Sequence, residues 1–499
     1  MSIFAFMQNI TYILVRNIEV ANKFSKSGSF PVGGKMAPVK KTVHSRRKGA
    51  VLIISMIFVL IFSALAVSMA TISGTNTQLA SNQHKVDCAL ASAASGLEVQ
   101  RFWLTPITMP SSTPLANYLS TIVGTLQNDL ADNSISNITL NSDGSIQPVI
   151  LDSTTGQTFT GQLSIDPTYP NILQVYTKGG GNQITRTIRV DFDIEPYKHP
   201  IFNYGLATKG PLNYTGNPAT TGVNESWEAD IYIESFVEGV ENPAAVSVAG
   251  NTNFNGDIMV GNPDATVNFG GDVLIDGDHN ETAIDNHVFI GVDPVDFPIP
   301  DTERFQQYAT GEIIDPSSDL TNGITLTNAT IEAGTNPTFD GSVIIQGILL
   351  IKSPNTVTFG RNVALQGIIV AEGNLENPGT NDRIDILGNF ASGPYPSGAE
   401  FDAIRGEVGS SIVAPGFAMS FQGNFSTLEG VVAVSGVHFS GNVAAQIKGT
   451  IINYSNDPMI IEGNASMNFD REASTKVPAG FDTHRVLTYN PSSYQEYAL

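Results

Sequence analysis

Cysteine is nearly absent from this chain: Cys88 stands alone among 499 residues. No intramolecular disulfide and no cysteine-based metal cluster can form, so a large domain must hold itself together by regular packing. Cys88 itself reads as a small apolar residue on a helix rather than a reactive thiol. Positive charge is the second scarcity. There are 25 Lys and Arg against 47 Asp and Glu. Nine of those bases precede Ala50, where Glu19 is the one acid. The remainder carries 16 bases and 46 acids, a net charge of −30. Such a surface excludes nucleic acid as a partner, because phosphate binding needs clustered Lys and Arg. It gives solubility by self-repulsion and permits divalent cations without specifying any. Catalytic words are also missing. The chain has no G-x-S-x-G elbow, no P-loop and no H-E-x-x-H. His84, His199, His279, His287, His438 and His484 show no ligand spacing. Asp276-Gly277-Asp278-His279-Asn280 opens like a calcium loop, but Glu281 replaces the required Gly and His287 the closing Glu, which excludes an EF-hand and leaves a turn. No catalytic, cofactor-binding or metal site and no cofactor is implied.

What the chain does have is one long uncharged run. From Ala50 to Ala70 there is no Asp, Glu, Lys, Arg, Pro or Gly. As a helix it is about 31 Å long, enough to cross a hydrocarbon core once. Arg46, Arg47 and Lys48 precede it, and basic residues before a span hold that end in the cytoplasm. The expected layout is a single pass through the inner membrane with an extracytoplasmic C-terminal domain. The run is too long for an ordinary signal-peptide core, and no small-x-small site closes it.

The junction Lys48-Gly49-Ala50, a basic run, a Gly and then an apolar helix, resembles the leader junction of type IV prepilins. Asn82-Gln83-His84 followed by Ala89-Leu90-Ala91-Ser92-Ala93-Ala94-Ser95-Gly96-Leu97-Glu98 resembles the N-terminal region of PilX-type minor pilins. The resemblance covers about residues 46–104. It implies processing by the prepilin peptidase between Gly49 and Ala50, methylation of the new N-terminus, and assembly with other pilins or pseudopilins. One departure is informative. Most pilins carry Glu at the fifth mature position, where it is thought to pair with the N-terminal amine of the preceding subunit; here that position is Ile54. PilX-type and K-type minor subunits often lack it too, so the resemblance implies a low-copy subunit that primes or caps a fibre. Residues 1–49 are long for a leader of this class. Met36 opens a short basic alternative, MAPVKKTVHSRRKG, and is the expected start of translation.

Beyond the span, Leu79, Val86, Leu90, Ala93, Leu97 and Leu104 form an apolar helical stripe. Pro106 should end the helix by Thr105. Residues 105–199 read as a small α+β head, with a helix over 115–130 and strands at 135–140, 147–151, 158–165, 172–176 and 184–192. Gly179 to Asn182 are expected to turn between the last two strands.

From about 200 the texture changes to short β-branched runs with Gly and Asn between them. An aromatic-x-Gly word recurs at Tyr214, Phe254, Phe269, Phe339, Phe359, Phe421 and Phe439, with Ile461 as a variant. Several steps fall near 20 residues, and the 62 residues from Phe359 to Phe421 leave room for three such units. That period predicts a β-helix or solenoid over 200–475 rather than a β-sandwich. The interruption near 278–322 predicts a protruding insertion that carries a binding surface, and 476–499 a C-terminal tail. The fold class expected is therefore a long N-terminal α-helix, a small α+β region and a large mostly-β domain. Two other functions fit parts of this pattern. Arg361, Arg383 and Arg405 recur every 22 residues and would line one face of a polysaccharide lyase. A plain tethered adhesin needs only the anchor, with a surface or polysaccharide ligand unspecified.

Overall fold

The computed structural model describes residues 50–499 apart from 182–183, 237–239, 241, 376–378, 380, 425, 442–443, 472–475 and 499. Gly49, the leader and Met36 lie outside the described residues, as does part of the expected turn at 179–182. Contacts divide the chain into residues 1–81 and 82–499. Helix α1, Ala50–Leu104, runs through this division and ends where Pro106 requires. A long helix followed by a small α+β region and a large β-rich domain is thus the observed architecture.

In the head, the amphipathic helix α2 (Tyr118–Asp132) buries Tyr118, Ile122, Val123, Leu126 and Leu130. The strands Ser145–Asp152, Gln157–Ile165, Ile172–Gly181 and Ile184–Pro196 pair antiparallel in chain order. Residues 135–140, expected as a strand, make only an isolated bridge at Leu140. The next strand in the sheet is His484–Ala498, which pairs with Ile184–Pro196 from Pro196↔Arg485 onward. So 476–499 is no tail. Its Leu487 and Tyr489, with exposed Thr488 between them, alternate as a sheet strand does, and Leu487 is buried in the head core. These two neighbouring strands form a hairpin whose connection is the whole second domain.

That domain is a stack of parallel rungs. Val343–Lys352 pairs residue for residue with Val363–Glu372, and Ser410–Phe421 with Val431–Phe439. Inward-facing residues stack from rung to rung in a continuous row: Phe339, Phe359, Ile386, Phe421, Phe439, Ile461, Tyr214, Val248 and Phe269. Phe339 lies flat on Phe359 at 5.0 Å, and Phe421 on Phe439 at 4.9 Å. This pairing is consistent with the solenoid expectation and corrects two details. Between Phe359 and Phe421 the row holds Ile386 alone, so that stretch makes two long steps with excursions rather than the three short units expected. Phe254 lies in a different row, paired with Thr220 and Ile275.

The row also reveals that rung order is not chain order. The rung at 451–469 docks on the rung at 206–222: Ile451 pairs with Leu206 and Ile461 with Tyr214. The chain therefore enters the stack in its middle, winds to one end at Val288–Ile290, crosses to the other end, and winds back. A column of glycines, Gly441, Gly463, Gly216 and Gly250, runs straight through the joint. A Cβ on Gly216 would stand 2.6 Å from the Gly463 carbonyl, so the close rung approach there admits no side chain.

The crossing is made by residues 291–312, and this overturns the expected protrusion. On one outer face of the stack the side chains are apolar: Leu350, Val370, Val413, Ala433, Ile452, Ala207, Tyr232 and Met259 follow one another in register. Residues 291–312 lie along them as a strap. The backbone N–H of Val295 donates to the Tyr232 hydroxyl at 3.0 Å, Tyr454 donates to the Pro298 carbonyl at 2.5 Å, and Phe305 is fully buried against Ile348, Ile368, Val370 and Phe401. From the level of Val260 to that of Asn328 the strap passes eight rung steps, about 38 Å at about 4.8 Å each. The physical reason is plain: an apolar outer face must be covered, and the connection between the two ends is the segment available to cover it. Helix α3, Asn280–His287, closes one end of the stack with Ala283 buried in the core. Asp276 to Asn280 form a tight turn leading into it, with positive φ at Asp276, Gly277 and Asn280.

Candidate functional site

The first part of α1 is an apolar rod. Leu52, Phe58, Leu60, Phe62, Val67 and Met69 are each at least half exposed. Among the described residues this is the one helix long and apolar enough to cross a membrane, and it fits a single-pass anchor. Several of its polar side chains bond back to helix carbonyls. Ser63 donates to the Val59 carbonyl at 2.6 Å, Thr71 to Ser68 at 2.8 Å, and Thr75 to Thr71 at 2.9 Å. Hydroxyls bonded back in this way carry no unmet donor into an apolar medium. Ala50 is the first helical residue, and Ile54 is exposed with no carboxylate at that position.

The second part of α1 packs on the head sheet. Ala89, Ser92, Ala93, Gly96, Leu97, Gln100 and Leu104 form the buried face. Three members of the expected stripe, Ala93, Leu97 and Leu104, belong to it, whereas Leu79 is exposed. The approach is close because small residues meet. A Cβ on Gly179 would collide with the backbone of Ala89 and Ala93, and one on Gly96 would stand 2.5 Å from the Phe159 ring. Gln100 donates to the Thr177 hydroxyl at 2.5 Å inside this contact. The Arg101 guanidinium sits 4.6 Å above the Tyr489 ring, joining the helix to the returning C-terminal strand. Sequence reasoning placed Gly179 only in a turn and Gly96 only in the PilX-like word, and did not single out Gln100. The Gly-rich 179–181 signalled a turn, but in a strand it also marks close approach by another backbone.

Cys88 is half-buried, and burial, reinforced by Asp87, pushes its thiol up. It is not activated as a nucleophile, which needs the opposite shift. The three arginines do not share a row. Arg383 starts a strand opposite Thr356 and pairs with Asp385 at 2.6 Å; Arg361 lies beyond the other end of that strand pair and donates to the Asp340 carbonyl; Arg405 binds Asp402 and two carbonyls on a separate 3₁₀ turn. Among the described residues no group of three or more His, Cys, Asp or Glu is placed to hold a metal ion. His287 instead bridges Asp257 at 2.8 Å and Asp278 at 3.5 Å, and His438 pairs with Glu462 at 2.9 Å. His199 and His484 pack around Tyr197 in the neck between head and stack. Burial, aided by the nearby His484, pushes the His199 imidazole down.

The joint of the stack carries the densest buried charge. Glu228 is fully buried, yet it accepts backbone N–H bonds from Asn224 and Arg471 at 2.7 Å and from Glu225 at 3.2 Å. Burial opposes its charge, but these donors outweigh it and hold the carboxyl below its usual range. Arg471, pushed down to about 10 by burial, donates to the carbonyls of Phe202 and Trp227. Asp230 beside it is pushed up to about 6 by burial and the neighbouring Asp257.

Residues 48–98 match the family described as PilX N-terminal. That match spans Lys48-Gly49-Ala50 and most of α1, so this segment is similar to the N-terminal region of PilX-type pilins. Among solved structures, the competence-associated pilin ComZ from Thermus thermophilus aligns over 83% of this chain and 98% of its own at 13% identity. Its TM-score of 0.27 is too low to bear on the fold. No curated protein matches the chain.

Proposed function

We propose that this chain, pilin-like through its N-terminal segment, acts as a low-copy subunit that primes or caps a type IV pilus-like fibre and displays the β stack outward. The observation that carries this reading is the family match at residues 48–98, which falls on the same apolar rod that has no packing partner among the described residues. The prepilin peptidase removes the basic leader between Gly49 and Ala50 and the new N-terminus is methylated. The rod stays in the inner membrane until it is passed to the helices of other pilins. Ile54 fits the low copy number. Without a carboxylate at that position a subunit cannot pair with the amine of one already in place, so it begins or ends a fibre rather than extending it. The stack needs no chemistry of its own in this role, and its acidic surface keeps it soluble outside the membrane. The test is fractionation. Fibres sheared from cells should contain the protein as a minor component, and deletion of the prepilin peptidase should leave it in the membrane fraction. Absence from sheared fibres in both strains overturns the proposal.

A further inference from the structure

One outer face of the stack differs from everything around it. Five strands, Thr252–Asn255, Ala219–Gly222, Ser466–Phe469, Ala444–Lys448 and Thr427–Glu429, lie side by side and parallel. Their register places Asn255, Thr221, Asn468, Gln446 and Thr427 in one outward row, about 4.8 Å from rung to rung. In the adjoining row Asn253 and Ser466 alternate with Ala219 and Ala444, which keeps the relief low. The row crosses the central joint, so it exists only because the last rung docks on the first. Thr221 donates to Asn468 at 2.7 Å. The side-chain amides of Asn255 and Gln446 make no hydrogen bond among the described residues and are presented to solvent.

Charge decides which occupant fits. Residues 200–475 hold 34 Asp and Glu against 8 Lys and Arg. These five strands carry one acid, Glu429, and it is neutralised by Lys448 at 3.1 Å. A neutral strip in a densely acidic domain repels anionic polymers at its borders and offers nothing to a cation. A protein partner would look for an aromatic or large aliphatic anchor at the centre, and these rows contain none. Amides and hydroxyls donate and accept in both directions, as sugar hydroxyls do. We infer that this face is a docking surface for an extended, neutral polysaccharide, laid along the rows and held by the amides of Asn255 and Gln446, whereas the Asn468 amide between them is engaged by Thr221 and the Ala445 carbonyl. The inference rests on the outward display proposed above for its setting, although the binding itself is a property of the stack.

The test uses the full-length protein in detergent micelles, with microcrystalline cellulose and chitin as neutral probes and immobilised alginate as the anionic one. The protein should sediment with cellulose or chitin and not with alginate. The double substitution Asn255→Ala and Gln446→Ala should weaken retention at least tenfold with an unchanged melting temperature, because neither side chain bonds to another among the described residues. The inference is overturned by failure to bind either neutral polymer, by equal binding of the double variant, or by stronger retention on alginate. None of these outcomes bears on N-terminal processing or fibre assembly, which are read separately.

Discussion

The head and the stack close in opposite ways. In the head sheet the four strands from Ser145–Asp152 to Ile184–Pro196 pair with their chain neighbours, and His484–Ala498 followed by Thr108–Pro110 extends the layer by long-range pairing. In the stack each rung pairs with a near one in the chain, from 20 residues away at Val343 and Val363 to 43 at Val370 and Val413, until Ile451 meets Leu206, 245 positions earlier. Both long-range joints follow from one topological event. The chain leaves the head sheet at Pro196, enters the stack at its middle, and returns to the same place. The lesson is that a repeat can be continuous in space while broken in sequence, and that the break falls where the two domains connect.

The comparison can be broken most severely at the head. Gly179→Leu drives a side chain into the backbone of α1 at Ala89 and Ala93 and should cost about 3 kcal/mol or more. Limited proteolysis should then cut the head first and leave the stack protected; a head as resistant as the native one contradicts the packing described. The strap comes next. Phe305→Ala empties a fully buried site and should destabilise the stack by about 3 kcal/mol, read as loss of amide-exchange protection along both 291–312 and the apolar face beneath. If only the strap loses protection, it is an ornament rather than a cover.

Two substitutions sharpen the account of the central joint because their pH dependence differs in sign. Glu228 is held below its usual range, so its contribution is present at neutral pH and is lost as pH falls through the folded-state value. Glu228→Gln should cost about 2 kcal/mol at pH 7, with the difference from wild type shrinking in acid. Asp230 is pushed up to about 6, so its ionisation opposes folding; the favourable neutral form is lost as pH rises through that value. Asp230→Asn keeps the oxygen that accepts from the Asp257 N–H and should raise stability by about 1 kcal/mol at pH 7.5, with little effect near pH 4. Thermal melts of both variants across this range check the pair.

Much of this was legible in the residues. The uncharged run from Ala50, the basic residues before it and Pro106 fix the long helix. The aromatic-x-Gly words mark inward positions of parallel rungs, since Phe339, Phe359, Phe421 and Phe439 do stack. What escaped had a common cause. Rung order depends on pairings hundreds of residues apart, which periodicity does not encode. The strap read as a protrusion because Pro294, Pro298 and Pro300 break the repeat; its apolar Val295, Phe297 and Phe305 were the signal that it lies against something. Leu487 and Tyr489 alternate with polar Thr488 and Asn490 as a strand does, but at the end of a chain such a segment is easily taken for a tail. In the candidate site, Gly49, Ala50 and Ile54 came from the word around them, whereas Gly179 and Gln100 matter only once a helix is placed across the sheet.

The account turns on the chain being handled as a prepilin. Intact-mass and N-terminal peptide analysis of the protein recovered from cells tests this most directly. It predicts a mature chain that begins at Ala50 with one added methyl group. Recovery of chains that still carry Arg46-Arg47-Lys48-Gly49, with no species starting at Ala50, would contradict it.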